Sequence, residues 1–136
     1  MTEQEQRNVE ILRAAYEACR YDDGDAFLDL FADNATYRLS APEHSVFGGI
    51  VHGPQGIREL LTRMFELVEI GDLRTDHYVA QGDNVVVTGT ETVVIKKTEK
   101  PFFSEWAQYF RFCEEKVVES VCYQDYSPLL RTLDQP

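Results

Sequence analysis

Apolar residues recur every three to four positions early in the chain and every second position through its later part. Val9, Leu12, Tyr16 and Cys19, flanked by Ile11, Ala15 and Ala18, make one stripe and predict a helix over 3–21. A second, short helix is expected from Asp25 to Ala32, where Phe27, Leu28, Leu30 and Phe31 crowd together behind Asp25 as the cap. Gly53-Pro54 opens a third, carried by Ile57, Leu60, Leu61, Met64, Phe65 and Val68 and closed by Gly71. Period-two alternation then predicts strands over 73–80, 85–97, 103–113 and 117–126, besides an earlier one over 34–40. Gln81–Asn84, Thr98–Pro101 and Glu114-Glu115 read as the turns between them. No repeat, linker or low-complexity segment intervenes. The pattern predicts one α+β domain over 1–136, a cone-shaped curved antiparallel sheet wrapped around three N-terminal helices.

Alternation also sorts each strand into two faces. In the longest, Val85, Val87, Gly89, Glu91, Val93 and Ile95 form one row, and the small, Thr-rich Val86, Thr88, Thr90, Thr92 and Val94 the other. The first row suits the core, and Glu91 is its anomaly. The next strand carries Trp106, Phe110 and Phe112 on one row with Gln108, and the last carries Val118, Ser120, Cys122 and Gln124. With a turn at Thr98–Pro101, Glu91 is expected opposite Gln108, Gln108 opposite Cys122, and Gly89 opposite Phe110. Two explanations fit such a polar line on an apolar face. One is a hydrogen-bonded patch that fixes strand register; the other is a ligand pocket whose carboxylate has a pKa raised by burial.

Charge narrows the partners. Thirteen Lys and Arg stand against 24 Asp and Glu, a net charge of −11. No basic cluster is present to release phosphate counterions, and Lys96, Lys97 and Lys100 are interrupted by Glu99 as in a soluble hairpin tip, so neither nucleic acid nor an anionic membrane is an expected partner. No apolar run opens the chain and none is long enough to span a bilayer, so a cytoplasmic location is expected. Cys19, Cys113 and Cys122 form no Cys-x-x-Cys pair and read as reduced thiols. His44, His52 and His77 are scattered, and Asp22-Asp23-Gly24-Asp25 lacks the glycine and glutamate positions of a calcium loop, so no metal site is expected. Cys122 as a nucleophile would need a histidine, and His77 falls on the outward row.

Several segments taken in order carry a family likeness. Ala15-Tyr16, Gly24-Asp25, Leu30–Thr36, the loop Gly48–Ile57, Trp106–Phe112 and Lys116-Val117-Val118 together resemble the SnoaL-like and ketosteroid-isomerase-like branch of the nuclear transport factor 2-like superfamily. The resemblance implies the cone fold with a pocket inside, and commonly a homodimer. It aligns Tyr16 with the isomerase tyrosine, Gln108 with that enzyme's protonated aspartate and Leu39 with its base. Against the epoxide-hydrolase-like set of Asp, Arg and Asp, it places Glu91, Gly89 and Gln108. Both sets are therefore incomplete. The constellation that remains has Glu91 as general base, with Tyr16 and Gln108 as hydrogen-bond donors to an enolate or carbonyl oxygen. Trp106, Phe110, Cys122, Tyr37, Leu39 and Met64 are the expected substrate-pocket residues. The expected activity is cofactor-free acid-base chemistry of the isomerase, cyclase or dehydratase type on a small hydrophobic carbonyl compound. The alternative is a non-catalytic ligand-binding or dimerisation module of the same fold. A homodimer is expected to form through the Thr-rich outer sheet face.

Overall fold

Strand pairing, more than local propensity, decides where the elements of this chain begin and end. The computed structural model describes residues 1–19 and 24–133. The order is α1 (Glu3–Cys19), α2 (Gly24–Leu28), β1 (Phe31–Leu39), β2 (Val51–His52), α3 (Gly53–Leu67), β3 (Val68–Gln81), β4 (Asn84–Ile95), β5 (Lys100–Cys113), β6 (Lys116–Gln124) and α4 (Ser127–Leu133). Six strands form one sheet in the order β2-β1-β6-β5-β4-β3. Neighbours are antiparallel except β1 and β6, which run parallel. Irregularities after Gly71 and Thr75 in β3, and at Val118 of β6 opposite Arg111 and Phe112, bend the sheet.

The buried stripe of α1 comprises Val9, Leu12, Ala15 and Tyr16, and that of α3 Ile57, Leu60 and Met64. Both belong to one core with Val85, Val87, Val93, Ile95, Phe110, Phe112 and Val117 of the sheet. The inward row of β4 is the one that alternation selects, Glu91 included. On the opposite face Val79, Phe103 and Tyr123 stay exposed.

Several boundaries differ from those the local pattern predicts. The first helix is described to Cys19, and the expected extension to Tyr21 lies outside the described residues. The second ends at Leu28 because Leu30 and Phe31 are taken by β6: the Val117 N–H donates to the Leu30 carbonyl, and Phe31 pairs with Val117. Asp25 lies inside its first turn, where it pairs with Arg58 at 2.8 Å. The third helix stops at Leu67 and passes directly into β3, since the Lys96 N–H captures the Leu67 carbonyl and Val68 pairs with Ile95; Gly71 is a strand residue. The β4–β5 loop is Lys96–Glu99, with Glu99 left-handed at φ 59° and its N–H on the Ile95 carbonyl, while Pro101 joins β5 opposite Val94. A proline is tolerated there because β6 ends at Gln124, opposite Trp106, leaving no partner on that side to need the missing N–H. The earlier turn shifts the β4–β5 pairing by four residues. Val117, not Val118, sits on the inward row, because the chain is irregular between the Phe112–Val117 and Arg111–Glu119 pairs.

Candidate functional site

The floor of the cone begins with a glycine. Gly89 pairs with Trp106, not with Phe110, and a Cβ on Gly89 would lie 2.4 Å from the indole Cζ2 and 2.1 Å from the Arg74 carbonyl oxygen. The missing side chain is what lets the indole lie across β4. Trp106 then stacks on Tyr16 of α1, ring centroids 5.6 Å apart at 21°.

Beside this stack lies Gln108, opposite Val87 on one side and Cys122 on the other. Its hydrogen bonds run in a fixed direction. Ser120 donates its proton to the Tyr109 carbonyl (2.8 Å), so it accepts from Gln108 Nε2 (3.2 Å), which leaves Gln108 Oε1 to accept the Tyr16 hydroxyl proton (2.7 Å). Tyr16 and Gln108 are thus brought together as partners of each other. Burial pushes the pKa of Tyr16, and likewise that of Tyr37, well above the ordinary phenol value, so both keep their protons at neutral pH.

Glu91 faces Ser104 instead of Gln108. The Gln124 side-chain amide donates both to Glu91 Oε1 and to Ser104 Oγ, the latter at 2.7 Å. The backbone of Gln124 is itself pinned, exchanging hydrogen bonds of 3.1 Å with Ser40 Oγ. Among the described residues nothing donates to Glu91 Oε2. Burial raises the pKa of Glu91, and the Gln124 hydrogen bond opposes the rise. Between the ordinary carboxylate value and the raised one, the folded protein holds a proton that the unfolded chain has released. Stability therefore falls as pH rises through that window, and the loss is complete above the raised value. Glu91→Gln is expected to be more stable than the parent at neutral pH, an advantage that disappears on acidification below the ordinary carboxylate range. Urea denaturation at a series of pH values measures the difference, and a parent protein that outlasts the variant at neutral pH contradicts it.

Tyr16, Glu91, Trp106, Gln108 and Gln124 line an open cavity of about 1370 Å³ together with Tyr37, Leu39, Met64 and Cys122. Phe110 is a correction: fully buried opposite Val85 and edge-on to Tyr16, it supports the floor from below and does not reach the cavity. Cys122 is held protonated, its thiol pushed up to about 12 by burial. His44, His52 and His77 are all exposed. Periodicity did not single out Gln124, Ser104 or Tyr126 as site residues. Gln124 did stand on the same row as Cys122, but the expected register put no acid near it. Among the described residues no group of three or more His, Cys, Asp or Glu side chains gathers as metal ligands.

A family model described as SnoaL-like domain matches residues 12–120. Among curated proteins nothing matches significantly. Of solved structures, an NTF2-like protein of unknown function from Burkholderia pseudomallei superposes with a TM-score of 0.84 at 20% identity, covering 95% of this chain and 98% of that one. An NTF2-like protein from Burkholderia xenovorans gives 0.76 at 28% identity over 93% and 95% of the two chains. TerC, co-crystallised with polyporic acid, gives 0.81 at 21% identity over 95% and 99%.

Proposed function

Because this chain belongs to the SnoaL-like domain family, we propose that it is a small-molecule enzyme of the isomerase, cyclase or dehydratase type, acting on a hydrophobic carbonyl compound by proton transfer without a cofactor. The family supports a fold used for binding and rearranging small molecules. The finer reading rests on one observation, the Glu91 carboxylate on the cavity wall with Oε1 clamped by Gln124 and Oε2 without a donor among the described residues. Such a group suits a general base whose affinity for protons burial has increased. Glu91 takes a proton from a carbon next to the carbonyl, and the electron pair of the broken C–H bond forms a C=C bond as negative charge passes to the carbonyl oxygen. The carboxylic acid then returns the proton to the same or a different carbon, so nothing is oxidised or reduced.

The charge pattern supports an uncharged substrate. Glu69, Asp72, Asp76, Glu91 and Asp125 line the cavity against two cations, of which Arg74 is bonded to Asp72 and Lys96 to the Phe65 carbonyl. A carboxylate or phosphate ligand would meet repulsion there without a cation committed to it. The crystallisation of TerC with polyporic acid supports a cavity of this fold accepting a bulky organic molecule. A second reading, ligand binding without chemistry, is favoured by Leu39 standing where the resemblance implies the isomerase base. Incubation with a panel of enolisable ketones in deuterated water separates the two, with proton NMR reading loss of the hydrogen next to the carbonyl. Exchange faster than in buffer supports the enzyme; binding of a panel member without exchange supports the module.

A homodimer belongs to the same reading. The outer face of the sheet exposes Val79, Phe103 and Tyr123 near the Thr-rich row of β4. Val79→Glu combined with Phe103→Glu is expected to convert a dimer to a monomer, read by sedimentation velocity at micromolar concentration. A parent protein that is already monomeric refutes the dimer.

A further inference from the structure

We propose that Tyr37, rather than Tyr16, donates the hydrogen bond to the substrate oxygen on which charge develops. This rests on the proton-transfer reading above and extends it by naming the second catalytic residue. The assignment follows from where each phenolic proton goes. The Tyr16 hydroxyl proton lies on Gln108 Oε1 at 2.7 Å, and Gln108 is prevented from turning over because Ser120, its own proton held by the Tyr109 carbonyl, must accept from Nε2. Tyr16 therefore meets the cavity with its ring and an oxygen whose proton is committed elsewhere.

Tyr126, the third tyrosine of the cavity wall, follows the last strand, and burial with the neighbouring Cys122 raises the pKa of its hydroxyl. Tyr37 differs from Tyr16. It stands on β1 opposite Ser120 of β6, lines the cavity, and is otherwise buried. Burial raises its pKa and the neighbouring Gln108 side chain opposes the rise, and among the described residues no group accepts the hydroxyl proton. A neighbour that favours the ionised phenol also makes its O–H a better hydrogen-bond donor. Tyr16 and Ser120 thus fix the Gln108 side chain, and Tyr37, its hydroxyl proton uncommitted, lines the same cavity as Glu91.

The test uses a substituted phenol whose phenolate absorbs in the visible, a mimic of the oxyanion. It is titrated into Glu91→Gln protein, in which the neutral amide stands in for the carboxyl after it has taken up its proton. Adding Tyr37→Phe is expected to weaken phenolate binding by about tenfold or more, the scale of a hydrogen bond to a charged group. Adding Tyr16→Phe is expected to cost several-fold less than Tyr37→Phe, since it loosens Gln108 without removing the donor. Circular dichroism confirms that each variant is folded, and the same comparison in the parent background guards against a Glu91→Gln protein that does not fold. A larger loss in Tyr16→Phe than in Tyr37→Phe, equal losses, or no phenolate binding at all each overturns the assignment. Phenolate binding that depends on Tyr37, in a protein that never exchanges a ketone's proton, supports the donor while removing Glu91 as base. Exchange that requires Glu91, with phenolate binding indifferent to Tyr37, does the reverse.

Discussion

Glu91→Gln is expected to cut the rate of proton exchange next to a substrate carbonyl by roughly 10²–10⁴-fold, the usual contribution of a positioned general base. Ligand affinity in the same variant is expected to stay within a few-fold of the parent. Both parts follow from geometry. The Gln124 amide can donate to the carbonyl oxygen of the substituted side chain as it does to Glu91 Oε1, so that side chain keeps its place. What is lost is the oxygen that accepts a proton from the substrate. The variant is also the one expected to gain stability at neutral pH, so a fall in activity cannot be put down to unfolding. Exchange that persists at the parent rate in Glu91→Gln ends the proton-transfer reading.

Gly89→Ala carries the largest expected effect on stability, about 3 kcal/mol, corresponding to roughly 10 °C in melting temperature for a chain of this size. The added Cβ meets a backbone carbonyl, that of Arg74, at 2.1 Å and the Trp106 ring at 2.4 Å. The carbonyl belongs to a paired strand and the ring to a buried stack, so neither yields easily. Gly24→Ala, where a Cβ meets nothing within 4 Å, is the control and is expected to be close to neutral. Thermal unfolding followed by the fluorescence of Trp106, the one tryptophan in the chain, reads stability and the state of the cavity floor together. A Gly89→Ala protein that melts with the parent shows that β3 and the indole can both move aside.

Local sequence carries the faces of this sheet well and its registers poorly, and β4 shows why. Side-chain alternation is a property of a single strand, so Glu91 could be assigned to the inner row from its neighbours alone. Register depends on which residues make the turn. Pro101 reads as a turn residue, yet the loop closes earlier, on Lys96–Glu99. The shift is an even number of residues, so every side chain kept its face while Glu91 exchanged Gln108 for Ser104 and the nearby Gln124 as its neighbours. The same limit hid the role of Phe110, whose row was legible but whose distance from the open space was not. Leu67-Val68 and Leu30-Phe31 mark the other failure, where backbone groups with good helical neighbours were recruited by strands distant in sequence. Tyr126 and Leu129 line the cavity from a segment after the last strand, where a short helix has too few residues to leave a periodic trace.

The parallel pairing of β1 with β6 bears on how the protein is made. During synthesis Phe31, Ala35, Tyr37 and Leu39 leave the ribosome long before Lys116–Gln124, and until then their strand has only the two residues of β2 beside it. The nascent chain therefore carries an open, apolar edge that chaperones or other nascent chains can pair with. Tyr37, Gln108, Cys122 and Gln124 come into one place only when β6 slots between β1 and β5. Late closure of so distant a pair slows folding, and a chain cut short within its last strand would be left without a binding cavity.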